Sequence, residues 1–237
     1  MGKPLTVYVG WDERDALAYE VVKLSIEAHA SKPVDVRPLY HWVLRAAGLF
    51  WREWRMDGRG QIWDARTGEP MSTTFSLTRY CVPGLAKAAG QSPVVFIDAD
   101  MMFLDDIHKM VAEADADAVV SCVKHDHRPA EREKMGGTMQ VVYERKNWSS
   151  VMVIYPGQAN SLTPYRINNE TKIALHSLAW ADKVGEIDER WNWLCGWSSL
   201  DIKPGNVHYT RGTPDMPGCE SEPFKDEWWA YARRVTG

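Results

Sequence analysis

Pro93-Val94-Val95-Phe96-Ile97-Asp98-Ala99-Asp100-Met101-Met102 is the stretch whose reading decides the fold. An apolar run without polar alternation is what a strand buried on both faces requires, and such strands belong to parallel sheets covered by helices. The run ends abruptly in two carboxylates separated by one small residue. In extended backbone, side chains at i and i+2 share a face, so Asp98 and Asp100 can converge on one hard cation, which prefers oxygen ligands. Either aspartate could instead cap the next helix. Asp105 and Asp106 stand closer to that helix start and are better placed to cap it.

Outward from this stretch, strand and helix keep alternating. Leu5 to Val9 reads as a strand, Gly10, Trp11 and Asp12 as its turn, and Ala16, Val21, Val22, Ser25, Ile26 and Ala30 recur at helical spacing. A second strand covers Pro33 to Leu39. Residues 41–68 are aromatic, charged and punctuated by glycine, the pattern of an elaborated loop region. Residues 72–89 read as helical, broken or kinked near Pro83 and Gly84. Further on come a helix over 106–114, a strand over 118–123, a polar loop over 124–137 and a strand over 150–155. The chain after Pro204 reads as irregular and ends in a short amphipathic helix over 226–234. This order predicts an α/β fold with a mostly parallel central sheet, in which ligands sit at the carboxyl ends of the strands, where Asp12 and Asp98 both fall. With no internal repeat and no linker, the expectation is one domain spanning residues 1–237.

Composition narrows the function classes. The chain has 237 residues, of which 45% are hydrophobic, enough for one substantial core. Its 28 basic and 32 acidic residues give a formal charge of -4, which offers no general attraction to a polyanion. A local basic groove built from Arg45, Arg52, Arg55, Arg59 and Arg66 would be the exception, and would admit modified DNA. No run approaches the roughly 20 apolar residues of a membrane span. The four cysteines form no Cys-x-x-Cys pair, which argues against a structural zinc site and a disulfide framework and fits a reducing cytoplasmic setting. Twelve tryptophans are many for this length. Indole faces suit sugar C–H groups, although core packing accounts equally for individual ones.

Four segments carry a resemblance: Tyr8-Val9-Gly10-Trp11-Asp12, Ser76-Leu77-Thr78-Arg79-Tyr80, Asp98-Ala99-Asp100, and Val207-His208-Tyr209-Thr210-Arg211-Gly212-Thr213-Pro214. In this order they resemble motifs of the family 8 glycosyltransferases and their relatives, retaining enzymes of the nucleotide-diphosphosugar transferase (GT-A) fold. The resemblance implies that the first segment contacts the nucleotide base, that Arg79 binds the donor, and that Asp98, Asp100 and His208 hold Mn²⁺ or Mg²⁺ against the donor diphosphate. Gly212 would let the backbone approach phosphate closely. Trp180 to Gly185 is similar to the acidic stretch at the donor sugar, making Asp182 a candidate catalytic residue beside Asp98 and Asp100. Trp191-Asn192-Trp193 resembles an aromatic-Asn pair nearby.

Two departures stand out. Asn147-Trp148-Ser149-Ser150 replaces an Asn, a small residue and Gly, which alters the donor pocket and puts Ser150 in it. The Lys-Pro-Trp ending of the resembling motif is replaced after His208 by Thr213-Pro214-Asp215, which leaves no matching lysine for the diphosphate and makes Arg211 the candidate substitute. Lys124-His125-Asp126-His127-Arg128 could form a second metal site but reads better as an acceptor-contacting loop. The function expected is thus metal-dependent transfer of a sugar from a nucleotide donor such as a UDP-sugar to an acceptor hydroxyl on a glycan, lipid-linked sugar, protein or hydroxylated DNA base. Its rivals are a nucleotide-sugar-binding protein without turnover and a Mg²⁺-dependent nucleotidyltransferase; the latter lacks a glycine-rich triphosphate loop.

Overall fold

A six-stranded sheet organises the chain in the computed structural model, which describes residues 2–126 and 145–237. The described elements begin with β1 (Leu5–Gly10), α1 (Ala16–His29), β2 (Val34–Leu39), α2 (His41–Ala46), β3 (Trp54–Met56), β4 (Ile62–Asp64), β5 (Pro70–Met71) and α3 (Val82–Ala88). They continue with β6 (Val94–Ile97), β7 (Met101–Phe103), α4 (Ile107–Glu113), β8 (Val120–Cys122), β9 (Val151–Ile154), α5 (Pro164–Asn169) and α6 (Lys172–His176). β10 (Val184–Glu186), β11 (Trp193–Leu194), β12 (Asn206–His208) and α7 (Lys225–Thr236) complete them. The large sheet runs β10-β8-β9-β6-β1-β2, with β9 antiparallel to both neighbours and the other strands parallel. The expected mostly parallel α/β sheet is therefore present.

Side-chain alternation explains why the central strands are apolar throughout. On β6, Val94 and Phe96 enter the cluster with Tyr8, Met152, Ile154 and Trp180, while Val95 and Ile97 enter the opposite one with Val7, Val9, Val22 and Ile26. Each such side chain contributes about 1.5–3 kcal/mol by leaving water. α1 covers the second face through Tyr19, Val22 and Ile26, one helical stripe.

Local readings differ from the structure in three places. Residues 41–68 hold α2 and most of a small antiparallel sheet, β3-β4-β5, rather than a loop region. Pro83 does not kink a long helix; it occupies the first turn of α3, where its missing N–H costs nothing. β7, β11 and β12 form a third sheet, so the region around Pro204 is more ordered than its sequence suggests.

The small sheet is pinned by a buried ion pair. Arg52 Nε donates to Asp64 Oδ1 at 3.0 Å, and its Nη1 donates to the carbonyls of Ile167 and Glu170, tying residues 52–64 to α5. With side chains 2% and 0% exposed, neither partner can be solvated if the other is lost. Arg52→Ala should lower stability by about 3–5 kcal/mol, read as an earlier midpoint in urea unfolding, because it strands a buried carboxylate.

Candidate active site

β6 ends at Ile97, and residues 98–100 carry the chain from the large sheet to β7 in the third sheet. The crossing is held at both ends. The amide of Asp98 donates to the carbonyl of Ser150 at 3.0 Å, and the amide of Tyr209 donates to the carbonyl of Asp100 at 2.9 Å. Ala99 is buried, which leaves the two carboxylates to face outward together. β12 pairs antiparallel with β7 so that His208 stands opposite Met101, and its Nε2 lies 3.5 Å from Asp100 Oδ1. Ligand atoms of Asp98, Asp100 and His208 all fall within 4.8 Å of one another. Two carboxylate oxygens and an imidazole nitrogen at that spacing are a donor set fit for Mn²⁺ or Mg²⁺. Neither aspartate caps a helix; Asp106 caps α4 by accepting from the amide of His108.

Arg79 stands behind Asp98. Its Nη2 lies 2.9 Å from Asp98 Oδ1, its Nη1 donates to the carbonyl of Ser149 at 2.8 Å, and its Nε donates to the carbonyl of Ser76 at 3.1 Å. The guanidinium also lies over the Phe96 and Phe75 rings, at 5.0 and 5.7 Å. Gly10 makes this packing possible, since a Cβ there would sit 2.4 Å from the Phe75 ring.

Asp12 is buried. Burial alone would raise its carboxyl, but hydrogen bonds from the Arg14 side chain and the Thr74 amide outweigh that and hold it below the usual range. Trp11 meets Tyr19 and Tyr40 edge-on, and Tyr40 stacks on the exposed Trp42 at 4.5 Å. One residue escaped the sequence reading. Asp15 is pushed up to about 7, first by burial and then by repulsion from Asp100 and Asp12. The signal was its position three residues after Asp12, at the end of the same turn.

The structure does not bring every expected residue to this place. Asp182 is exposed at the amino end of β10, and β10 runs parallel to β6, so Asp182 lies at the opposite edge of the sheet from Asp98. Its expected contact with the transferred sugar has no geometric support. Trp191 and Asn192 are fully buried and cannot line a donor surface. Asn192 instead bonds His208, Oδ1 to Nδ1, at 2.8 Å. Ser150 is buried too, its hydroxyl turned back to the carbonyl of Asn147 at 3.0 Å. Arg211 is exposed and lies 5.9 Å from the Trp197 ring. Gly212 is required by packing, since a Cβ would lie 2.8 Å from Cys219 Sγ.

The Lys124 to Arg128 cluster is only partly described, with His127 and Arg128 outside the described residues. His125 bonds the carbonyl of Asn192 at 2.8 Å, and burial lowers its pKa to about 4, so it stays neutral near physiological pH. The basic groove loses Arg52 to its ion pair with Asp64, while Arg45 faces Glu53 at 2.9 Å.

The described fold is that of the GT-A glycosyltransferases. It is similar to the bifunctional glycosyltransferase WbbM (TM-score 0.62, 15% identity, covering 98% of this chain and 50% of that one). It is similar also to GlyE of Streptococcus pneumoniae (0.59, 12%, covering 98% and 60%) and to the galactosyltransferase LgtC solved with donor and acceptor sugar analogues (0.61, 14%, covering 98% and 97%). The chain thus spans about half of WbbM and three-fifths of GlyE. No family model matches it. Among sequences, it is 36% identical over 235 residues to Protein CDI of Arabidopsis thaliana, covering 95% of this chain and 85% of that protein, and it belongs to the Protein CDI family.

The Asp15 environment gives a pH test. Its folded pKa, about 7, lies above the ordinary carboxylate value, so between about pH 4 and 7 Asp15 holds a proton in the folded state that it loses on unfolding, whereas the buried His125 and His176 act in the opposite sense. The contribution of Asp15 alone falls as pH rises through that window. Asp15→Asn should remove that contribution, so that the variant gains on wild type by on the order of 2 kcal/mol, after discounting for partial exposure, between urea midpoints taken at about pH 5 and 8.

Proposed function

We propose that the protein is a metal-dependent glycosyltransferase that moves a sugar from a nucleoside-diphosphate donor, a UDP-sugar, to an acceptor hydroxyl. The observation that carries this reading is the convergence of Asp98, Asp100 and His208, within 4.8 Å of one another, at the carboxyl edge of a GT-A sheet. A divalent cation held by these three groups supplies electrostatic stabilisation to the diphosphate as it departs.

The chain's own residues do the rest of the positioning. Arg79 fixes the Asp98 carboxylate, and the Asp100 backbone is fixed through Tyr209. Trp11, Tyr40 and Trp42 form an aromatic ledge beginning at the turn after β1, suited to a base or ribose. Retention of configuration, with the acceptor attacking on the leaving-group face and a donor phosphate oxygen taking its proton, is the course that the motif resemblance favours.

A neighbouring cleft of about 780 Å³ supports a neutral or cationic acceptor over a nucleic acid. Its described lining includes Glu113, Asp126, Glu186, Asp188 and Glu189 against Lys124, with Trp197 at one wall. That balance offers no complement to a phosphate backbone. The cleft adjoins the site through His125, bonded to Asn192, and through Trp197, beside Arg211.

Titration calorimetry of UDP, with and without Mn²⁺, tests the donor site. Binding should require the metal and weaken by more than about tenfold in Asp98→Ala, a loss above roughly 1.4 kcal/mol. UDP-sugars should then release UDP in wild type and not in Asp98→Ala. Metal-independent or absent UDP binding would overturn the donor reading; intact binding with no UDP release from any UDP-sugar and acceptor would make the protein a binder without turnover.

A further inference from the structure

We infer that Asn192 is a positioning residue that sets the tautomer of His208 and so determines which imidazole nitrogen faces Asp98 and Asp100. This rests on the reading of those three residues as metal ligands.

The argument starts at a backbone carbonyl. Asn147 has a left-handed backbone, φ 65°, which asparagine tolerates better than most residues, and its carbonyl points into the loop ahead of β9. There it accepts from the Ser150 amide at 3.3 Å, the Ser150 hydroxyl at 3.0 Å and Asn192 Nδ2 at 3.1 Å. A carbonyl only accepts, so it dictates that the nitrogen of the Asn192 amide faces it. The amide oxygen is thereby turned to His208 Nδ1, 2.8 Å away. That oxygen also only accepts, so the neutral imidazole must carry its hydrogen on Nδ1. Nε2 is left with a lone pair, aimed toward Asp100 Oδ1 at 3.5 Å. A lone pair facing a carboxylate oxygen is repulsive unless a proton or a metal cation lies between them.

Asn192 can hold this arrangement because it is itself immobilised. It is fully buried, and its own carbonyl accepts from His125 Nε2 at 2.8 Å. Through Ser150, whose carbonyl accepts from the Asp98 amide, one hydrogen-bonded path runs from Asp98 by way of Asn147 and Asn192 to His208. Two ligands 110 residues apart in sequence thus share one scaffold.

The test uses the full chain labelled with ¹⁵N-histidine, metal-free at about pH 8, where an ordinary imidazole is neutral. Two-bond ¹H–¹⁵N spectra, with His208 assigned by its loss in His208→Gln, should show wild-type His208 protonated on Nδ1. Asn192→Leu removes both side-chain bonds at similar volume; it should release the tautomer to a mixture and weaken Mn²⁺ binding by about 10–100-fold. Asn192→Asp keeps an acceptor for Nδ1–H and should retain the wild-type tautomer. A wild-type His208 protonated on Nε2, or an Asn192→Leu protein that keeps both tautomer and Mn²⁺ affinity, would overturn the inference. If Asn192→Leu does not fold, the wild-type and Asn192→Asp spectra still decide it. Should wild type show Nδ1–H yet bind no Mn²⁺, the metal reading would fail while the tautomer assignment stood.

Discussion

The candidate site depends on the antiparallel pairing of Met101–Phe103 with Asn206–His208. Without that register, a histidine from late in the chain has no reason to stand beside Asp100. The pairing is stabilised by burial of Met102, Trp193, Val207, Tyr209 and Trp228 in one cluster, which also receives Val21 of α1. It is locked at its far end by Gly205, whose carbonyl accepts from the amides of Leu104 and Asp105 at 2.9 and 3.1 Å. Gly205 has no alternative, because a Cβ would lie 2.7 Å from the Trp191 ring. Trp191 thus contributes to the site from inside the core, by setting how closely β12 approaches β7.

Electrostatics at the carboxyl edge follow from that geometry. Four aspartates, Asp12, Asp15, Asp98 and Asp100, share the edge with two guanidiniums, Arg14 on Asp12 and Arg79 on Asp98. The excess of negative charge shows in Asp15, which holds its proton up to about 7 partly because Asp100 and Asp12 are near. Such crowding of carboxylates disfavours the ionised state of the edge by itself and favours a bound cation. Arg79 in turn sits on a buried base. His176, fully buried and kept neutral by that burial, shares its Nδ1 between the hydroxyls of Tyr80 and Ser149, and the carbonyl of Ser149 receives Arg79.

What could be read in the sequence was whatever rests on local pattern. The strand ending in Asp98-Ala99-Asp100 was legible because burial on both faces leaves an unbroken apolar run and the change to carboxylates is abrupt. The helical stripe of α1 was legible for the same reason. The β3-β4-β5 sheet was not, since its strands are two or three residues long and carry Arg, Asp and Pro rather than a strand-like alternation. Arg52 read as one of several surface arginines, because its partner Asp64 is set by tertiary contact. Asp182 was expected at the donor sugar from the likeness of Trp180 to Gly185 to an acidic stretch there, but only topology tells which end of β10 it stands at. Asn192 was expected near the sugar from its likeness to an aromatic-Asn pair, and burial shows instead that it and both flanking tryptophans face inward, with Asn192 on His208.

The departure at residues 147–150 takes on a different meaning in this light. A tryptophan and a serine, where the resembling motif has a small residue and Gly, would fill a donor pocket if their side chains pointed into it. They do not. The Trp148 indole is half-buried, donates its Nε1–H to the carbonyl of His125 at 2.8 Å and carries the Arg145 guanidinium over its ring at 5.0 Å. The Ser150 hydroxyl folds back onto the carbonyl of Asn147. Both substitutions therefore bind the loop to itself and to the end of β8, and they leave the carbonyls of Asn147 and Ser150 in place to receive Asn192 and Asp98. A loop whose side chains bond its own backbone, while its carbonyls receive Asn192 and the Asp98 amide, is a rigid frame behind the candidate Asp98, Asp100 and His208 cluster.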